Sequence, residues 1–572
     1  MRVMITNEAY RLADKIPFQE PEKLENLTAA RGQEAAFQII LFPEENCDLC
    51  LEAEPRIYGG IGYPAYRLEV CSAYTPTVWA EGMLCDDEGI KRADILLSDR
   101  KIGMKSGRPF AVWAQLTVPE EAQKKDSKVT VRIWKTEGNK DEKPVFKKSF
   151  PLQVRSYKMP RPSQYRFRLD LWQHVSNVAR QFGVPLFGEE HFRVLEEMVK
   201  SLAELGQKSV TVVASDSPWR GWKCWENSKA PATLYEYSMV RTTKKPDGSY
   251  CYDYCAMQRY IDLCGKYGIN GEIEVFGLVN IWREASFDQM ELCPDYPENI
   301  LIRYYDEAQG SFGYLRNAED ICAYISGLEQ YFIKTGQIDR VRVAADEPGD
   351  FERYRKSLDI VRKTAPAFRY KTAFDHAEFL DHCEEGITDY APNFYCACSQ
   401  YERLKKMQKE RPDSRLQWYI CCGPGYPNTF LKSDLLEARF LGIMNALLGF
   451  DGLLRWTYTC WTDQPLEDIR YGNWRAGDLC LVYPAKNGGI LKSLRWKALK
   501  RGIEDYELLE RIRELGREDV IEQIFHLLLR EENVSNYILE DWEVLSDIFV
   551  NDYSVFEQAR QIMLNTLEGM QE

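Results

Sequence analysis

The stretch Val341-Arg342-Val343-Ala344-Ala345-Asp346-Glu347-Pro348 reads as an apolar strand that ends in two carboxylates and a proline. Upstream, Asn317 is placed to cap a helix carrying Ile321, Tyr324, Ile325 and Leu328 at helical spacing. Downstream, Asp350 is placed to cap another helix, and Tyr370 to Phe374 is the next strand candidate. The alternation repeats in both directions. Strands are expected at Tyr165 to Trp172, Ser209 to Ala214, Glu272 to Val279, Ile387 to Phe394, Leu416 to Cys422 and Leu453 to Thr459. Helices are expected at Glu189 to Leu205 and Tyr254 to Lys266. About eight strands separated mostly by helices predict a (β/α)8 TIM-like barrel over residues 165–515. A doubly wound sheet is the alternative. The one glycine-rich match, Gly60-Ile61-Gly62, is interrupted by Pro64 with no helix after it, and does not support a dinucleotide fold.

Outside the barrel the texture changes. Residues 1–160 carry short alternating or apolar runs, such as Ala36 to Phe42, Phe110 to Val118 and Lys128 to Trp134, between turn clusters. That spacing predicts a β-sandwich domain. Met159 to Gln164, with two prolines, reads as the linker. After the eighth strand, Ser493 is placed to cap a helix burying Trp496, Leu499, Ile503, Tyr506 and Leu509. Residues 516–572 are expected to be C-terminal helices packed on the barrel. The fold class is thus multidomain, α/β plus β.

Composition narrows the partners. Lys and Arg number 74 against 88 Asp and Glu, a net charge of −14, so phosphate backbones and anionic lipid are repelled. No run of about 18 apolar residues spans a bilayer. The opening MRVMITNEAYRLADK lacks the apolar core of an export signal, and a cytoplasmic location is expected. The 17 cysteines then read as reduced thiols, and Cys47 and Cys50 lack the second ligand pair that zinc needs. With only five histidines, no metal and no cofactor are expected. Aromatic residues reach 13%, which leans toward the apolar faces of sugar rings.

In a barrel, functional groups gather just after the C-terminal ends of the strands. Those positions hold Trp172 and His174, then Asp216 with Trp219, Trp222 and Trp225, and then Asp346 and Glu347. They also hold Asn393 and Tyr395, Trp418 and Tyr419, and Trp456, Tyr458 and Trp461. Carboxylates ringed by indoles and phenols suit an oligosaccharide or glycoconjugate. The competing reading makes Asp346 and Glu347 solvated loop acids, or anions near a helix N-terminus. In ordinary glycosidases two carboxyls face each other across the bond, roughly 5 to 9.5 Å apart, which neighbours in sequence rarely achieve. Asp170 and Asp216 are possible second acids for that arrangement. Adjacent acids suit substrate assistance instead, in which a 2-acetamido oxygen attacks the anomeric carbon. Because neighbours on a regular strand point to opposite faces, the pleat must break at this point, and Pro348 is the expected cause. A carbohydrate-binding protein without catalysis is the reading from another class.

The chain resembles the glycoside hydrolase family 123 β-N-acetylgalactosaminidases, a group overlapping the DUF4091 families. The resemblance rests on Ala30-Arg31-Gly32-Gln33-Glu34 before Phe37-Gln38, on Asp94-Ile95-Leu96-Leu97, and on Val112-Trp113 to Val118-Pro119. It continues through Asp346-Glu347-Pro348, Trp418-Tyr419 to Gly423-Pro424, and Trp456 to Trp461. Its most specific part is Gly477 to Leu509, GDLCLVYP followed by SLRWKALKRGIEDYELL. Gly32-Gln33-Glu34 and Asp389-Tyr390-Ala391-Pro392 depart from the family pattern. The resemblance implies an exo-acting, retaining β-N-acetylhexosaminidase favouring GalNAc. It implies that Asp346 steadies the acetamido group and that Glu347 is the general acid/base, a role for which partial burial and the nearby Asp346 should raise its pKa.

Overall fold

The computed structural model describes the chain except for residues 16–17, 52–62, 124, 217–234, 283–292, 384, 471, 473 and 571–572. Trp219, Trp222, Trp225 and the Gly60–Gly62 run therefore lie outside the described residues.

Two sheets make up the N-terminal region. One is antiparallel, in the order Arg2–Thr6, Glu34–Phe42, Phe110–Thr117, Pro76–Cys85, Lys91–Leu97. The other has six strands, with Lys125–Thr136 and Lys143–Lys158 as its long central hairpin. Side-chain alternation explains their packing. Phe37, Ile39 and Leu41 face the second sheet, meeting Leu68, Val131, Ile133 and Leu152 in a shared core. Ala36 and Ile40 face the other way, toward Trp113, Leu435 and Leu494. The first sheet is therefore buried on both sides, against its partner sheet and against the helices that hold Leu435 and Leu494.

The second interface is held by charge. Asp94 is fully buried and receives Arg495 at 2.9 Å, Arg11 at 3.1 Å and the Tyr483 hydroxyl at 2.5 Å. Gln33 donates to Glu504 at 2.5 Å, and Lys497 pairs with Glu34 at 3.0 Å. Buried charges persist when paired and hydrogen-bonded. The ARGQE, DILL and SLRWKALKRGIEDYELL stretches thus meet one another and join the N-terminal sheets to the helices of the C-terminal region. Helices Leu435–Leu448 and Leu494–Glu514 cross at Gly442 and Gly502, where a β-carbon on either would strike the other helix's backbone.

Eight parallel strands follow in a continuous curled sheet: Asp170–Leu171, Gly452–Arg455, Arg415–Tyr419, Asp389–Pro392, Arg369–Phe374, Val341–Asp346, Ile273–Phe276, Val210–Val213. Taken in chain order, Asp170–Leu171 is the first strand and Gly452–Arg455 the eighth. The sequence leads one to expect a fully closed barrel. Along the seam between first and second strands the backbone contributes a parallel bridge, Leu169 to Gln207, among the described residues. Glutamine side chains stitch the rest: Leu171 N–H donates to Gln207 at 2.9 Å, and Thr211 N–H to Gln173 at 2.8 Å. The first strand spans two residues, and beyond it Trp172 N–H still donates to the Arg455 carbonyl at 3.1 Å while Gln173 N–H turns to the Thr211 hydroxyl at 3.1 Å.

The sheet encloses a layered interior. Lys371 on the fifth strand reaches Asp170 at 2.5 Å, Glu274 at 2.6 Å and Gln417 at 2.5 Å, on the first, third and seventh strands. Burial and the neighbouring Asp170 push Glu274 up to about 8. Above this layer every strand supplies one member of a single cluster: Trp172, Val213, Phe276, Ala344, Ala373, Ala391, Tyr419 and Leu454. Its members on the fourth, fifth and sixth strands are alanines, which leave room beneath one side of the mouth.

Two departures concern the periphery. Arg241–Lys244, Tyr250–Asp253, Arg303–Asp306 and Ser311–Tyr314 form a small extra sheet that the sequence does not announce. The expected run of helix to the C-terminus is interrupted between Glu518–Leu528 and Tyr553–Gly569. Asn533, Ser535, Asn536, Asp541, Asn551 and Asp552 supply turns there. No helix among the described residues is long and apolar enough to cross a membrane.

Candidate active site

The fourth strand delivers Asp346 with the inward parity of Ala344, one step above the alanine floor. Continued pleating would turn Glu347 outward. Instead Glu347 has a φ of 44°, in the left-handed region, which costs a non-glycine residue about 1–2 kcal/mol. Its N–H still donates to the Ala373 carbonyl at 2.8 Å, so the chain stays attached to the fifth strand while the side chain swings. The Tyr419 hydroxyl donates to the Glu347 carboxylate at 2.7 Å. Burial first, and the adjoining Glu347 carboxylate second, hold the Tyr419 hydroxyl well above the usual phenol range and keep it a donor.

The strained peptide is clamped from the third strand's end. The Asn280 side-chain amide and the Trp282 indole N–H both donate to the Asp346 carbonyl. Asn280 is itself left-handed, with a φ of 51°. Buried Glu298 holds that loop by accepting Asn280 N–H at 2.9 Å, Ile281 N–H at 3.2 Å and the Ser357 hydroxyl at 2.9 Å. Burial raises the Glu298 carboxyl, against the pull of Arg353 at 3.9 Å. Neither Asn280, Trp282 nor Glu298 is among the sequence candidates. Asn280 and Trp282 follow a strand end directly, so the positional rule that selects Asp346 would have reached them. Glu298 lies far along the next loop and carries no such signal.

The aromatic candidates divide. Trp172 and Tyr419 belong to the mouth cluster, with Trp456 and Trp282 packed on it. Trp456 lies 6.2 Å from Trp474 and its indole donates to Asp478 at 3.4 Å. Tyr395 is half-buried against Gly423. His174 lies fully buried, edge-on to Trp456 at 6.4 Å, and burial lowers it to about 3, so it is neutral near pH 7. Asn393 caps helix Phe394–Ser399, its side chain accepting Cys396 N–H at 2.8 Å.

Three candidates are core. Trp418 faces away from the interior and donates to Asn445 at 2.9 Å under helix Leu435–Leu448. The alternation that sends Tyr419 inward sends its neighbour out. Tyr458 is fully buried with Ser201 at 2.8 Å and the Trp496 indole at 3.2 Å. Trp461, also buried, donates to the Val482 carbonyl at 2.7 Å. The possible second acids are engaged as well. Asp170 is fully buried against Lys371, and Asp216 receives Arg303 at 3.2 Å and Ser238 N–H at 2.8 Å.

The site thus consists of consecutive acids at a strand end, above a curled parallel sheet and beside aromatic side chains. The glycoside hydrolase 123 catalytic-domain model matches residues 172–512, more than half of the chain. The protein belongs to glycoside hydrolase family 123. A family 123 glycoside hydrolase from Clostridium perfringens, described for glycolipid glycan hydrolysis, superposes with a TM-score of 0.75 at 16% identity, covering 100% of this chain and 99% of that one. The likeness extends the shared fold to the N-terminal sheets and the C-terminal segment. A glycoside hydrolase from Bacteroides vulgatus, itself named only by likeness, aligns at a TM-score of 0.32 and 11% identity over 78% of this chain and 77% of that one, too slight to argue from. Among curated proteins nothing matches.

Proposed function

We propose that this glycoside hydrolase is an exo-acting, retaining β-N-acetylhexosaminidase that favours GalNAc and works through the substrate's own acetamido group. The carrying observation is the broken pleat: Asp346 and Glu347 are consecutive, and the left-handed backbone at Glu347 interrupts the alternation that would send them to opposite faces, which supports a shared role. In this reading Glu347 gives its proton to the glycosidic oxygen as the acetamido oxygen attacks the anomeric carbon and the leaving group departs. Asp346 accepts the acetamide N–H and steadies the charge of the cyclic intermediate. Glu347, now a carboxylate, takes a proton from water, whose oxygen adds to the anomeric carbon and reopens the ring with net retention. Tyr419, donating to Glu347, supports this role by orienting the carboxyl. The glycolipid glycans named for the Clostridium perfringens enzyme support a glycoconjugate substrate here too.

Aryl 2-acetamido-2-deoxy-β-glycosides, compared with their 2-hydroxy counterparts, test the proposal. Only the acetamido set should release aglycone. Glu347→Gln and Asp346→Asn should each lose about 10²-fold or more in kcat. A thiazoline mimic of the cyclic intermediate should bind tightly. Equal cleavage of 2-hydroxy sugars, or full turnover in either variant, would end the reading.

A further inference from the structure

A short hairpin in the interrupted C-terminal segment, beyond the residues that the family model matches, carries an aromatic side chain against Tyr395, which follows the sixth strand. Leu539 N–H donates to the Glu543 carbonyl at 2.8 Å and Leu545 N–H to the Tyr537 carbonyl at 2.9 Å, with an antiparallel bridge between Ile538 and Val544. Trp542 sits at its tip, beyond the matched residues 172–512. It is 56% exposed, an unusual state for so large an apolar group. Asp541 and Trp542 both have a φ of 61°, which is an outlier for a bulky side chain. Such strain persists only where the surroundings enforce it, and it clusters at functional positions.

The ring has one aromatic neighbour that ties it to the mouth. Trp542 packs edge-to-face on Tyr395, centroids 6.3 Å apart. Tyr395 in turn lies against Gly423, where a β-carbon would come within 3.3 Å of its ring. Two residues before Gly423, Cys421 packs on the cluster that holds Tyr419, and Tyr419 donates to Glu347. Contacts, joined by the chain from Cys421 to Gly423, thus link Glu347 to an exposed indole. Glu540, Asp541 and Glu543 flank that indole. Carboxylates there would accept hydroxyl hydrogen bonds and would repel an acidic sugar.

We propose that Trp542 is the stacking platform for a neutral sugar on the leaving-group side of the scissile bond. The inference rests on the reading of Asp346 and Glu347 as the bond-cleaving acids. It makes the C-terminal segment a determinant of which glycan the enzyme prefers.

Two substrates separate this role from a structural one: a β-linked GalNAc–galactose disaccharide, and N-acetyl-β-galactosaminyl fluoride, which carries no sugar on that side. Trp542→Ala in the full chain should lower kcat/KM on the disaccharide about tenfold, mainly through KM, and change the fluoride by less than about twofold. Trp542→Phe should recover most of the loss. An unaltered disaccharide, or an equal fall on both substrates, would overturn the proposal. A second readout does not need turnover. In enzyme labelled with 5-fluorotryptophan, the resonance missing from Trp542→Phe should shift with millimolar disaccharide and stay put with GalNAc alone. If the wild type cleaves neither substrate, the acid assignment fails, while a shifting resonance still upholds the platform and a stationary one removes it.

Discussion

Replacing Asn280 by glycine isolates the device that turns Glu347 into the mouth. Glycine adopts the left-handed φ of 51° at this position without penalty, so the loop backbone is spared and only the side-chain amide is lost. Two donors hold the Asp346 carbonyl, those of Asn280 and Trp282. Each hydrogen bond contributes about 1 kcal/mol net, against about 1–2 kcal/mol of strain at Glu347. With both donors the two contributions nearly cancel; with one, the relaxed extended conformer gains about 1 kcal/mol, a factor of about five in its favour. Starting from near balance, Asn280→Gly should therefore lower kcat about threefold, and Asn280→Gly with Trp282→Phe about fifteenfold. KM should hardly move, because the sugar's other contacts stay in place. Steady-state kinetics on an aryl β-GalNAc substrate, with thermal melts to exclude unfolding, provide the measurement. A double variant with wild-type kcat would refute the clamp. So would a loss confined to KM.

Two further expectations concern the scaffold. Lys371→Met leaves the Asp170 carboxylate buried without its cation and Glu274 without its Lys371 hydrogen bond, which should cost about 3–5 kcal/mol in urea unfolding, and adding Asp170→Asn and Glu274→Gln should restore most of it. An unchanged single variant would show that the interior does not depend on this charge cluster. Asp94, held below the usual carboxylate range by Arg495 and Arg11 despite its burial, stabilises the interface between sheets and barrel at neutral pH. A lowered folded pKa means that this stabilisation is complete above the unfolded value, about 3.9, and fades as acid carries the pH through the lower folded value. The stability gap between wild type and Asp94→Asn should close in that acid window; a gap independent of pH there would contradict the ion-pair account.

Much of the architecture can be read without coordinates because its causes are local. Asn317, Asp350 and Ser493 are the helix caps that the sequence marks, each accepting an N–H within its first turn. Helix Glu189–Leu205 has the bounds that its apolar stripe and Gly206 indicate. Asp346 and Glu347 stand at a strand end because apolar residues stop there and Pro348 follows.

The rest depends on which way a side chain points once the sheet has curled. Trp418 and Tyr419 are equally apolar neighbours on a strand buried on both faces, so no polar alternation marks the inward one. Curvature alone decides that Tyr419 meets Glu347 and Trp418 meets Asn445. The family-like stretches around Gln33, Asp94 and Arg495 are likewise separate motifs in sequence, yet they meet across hundreds of positions as an interface. The left-handed turn at Glu347, its clamp by Asn280 and Trp282, and the approach of Trp542 to Tyr395 all join separate segments. A linear pattern carries period and caps. Tertiary packing alone sets the parity of a buried strand and the partners that distant loops bring to it.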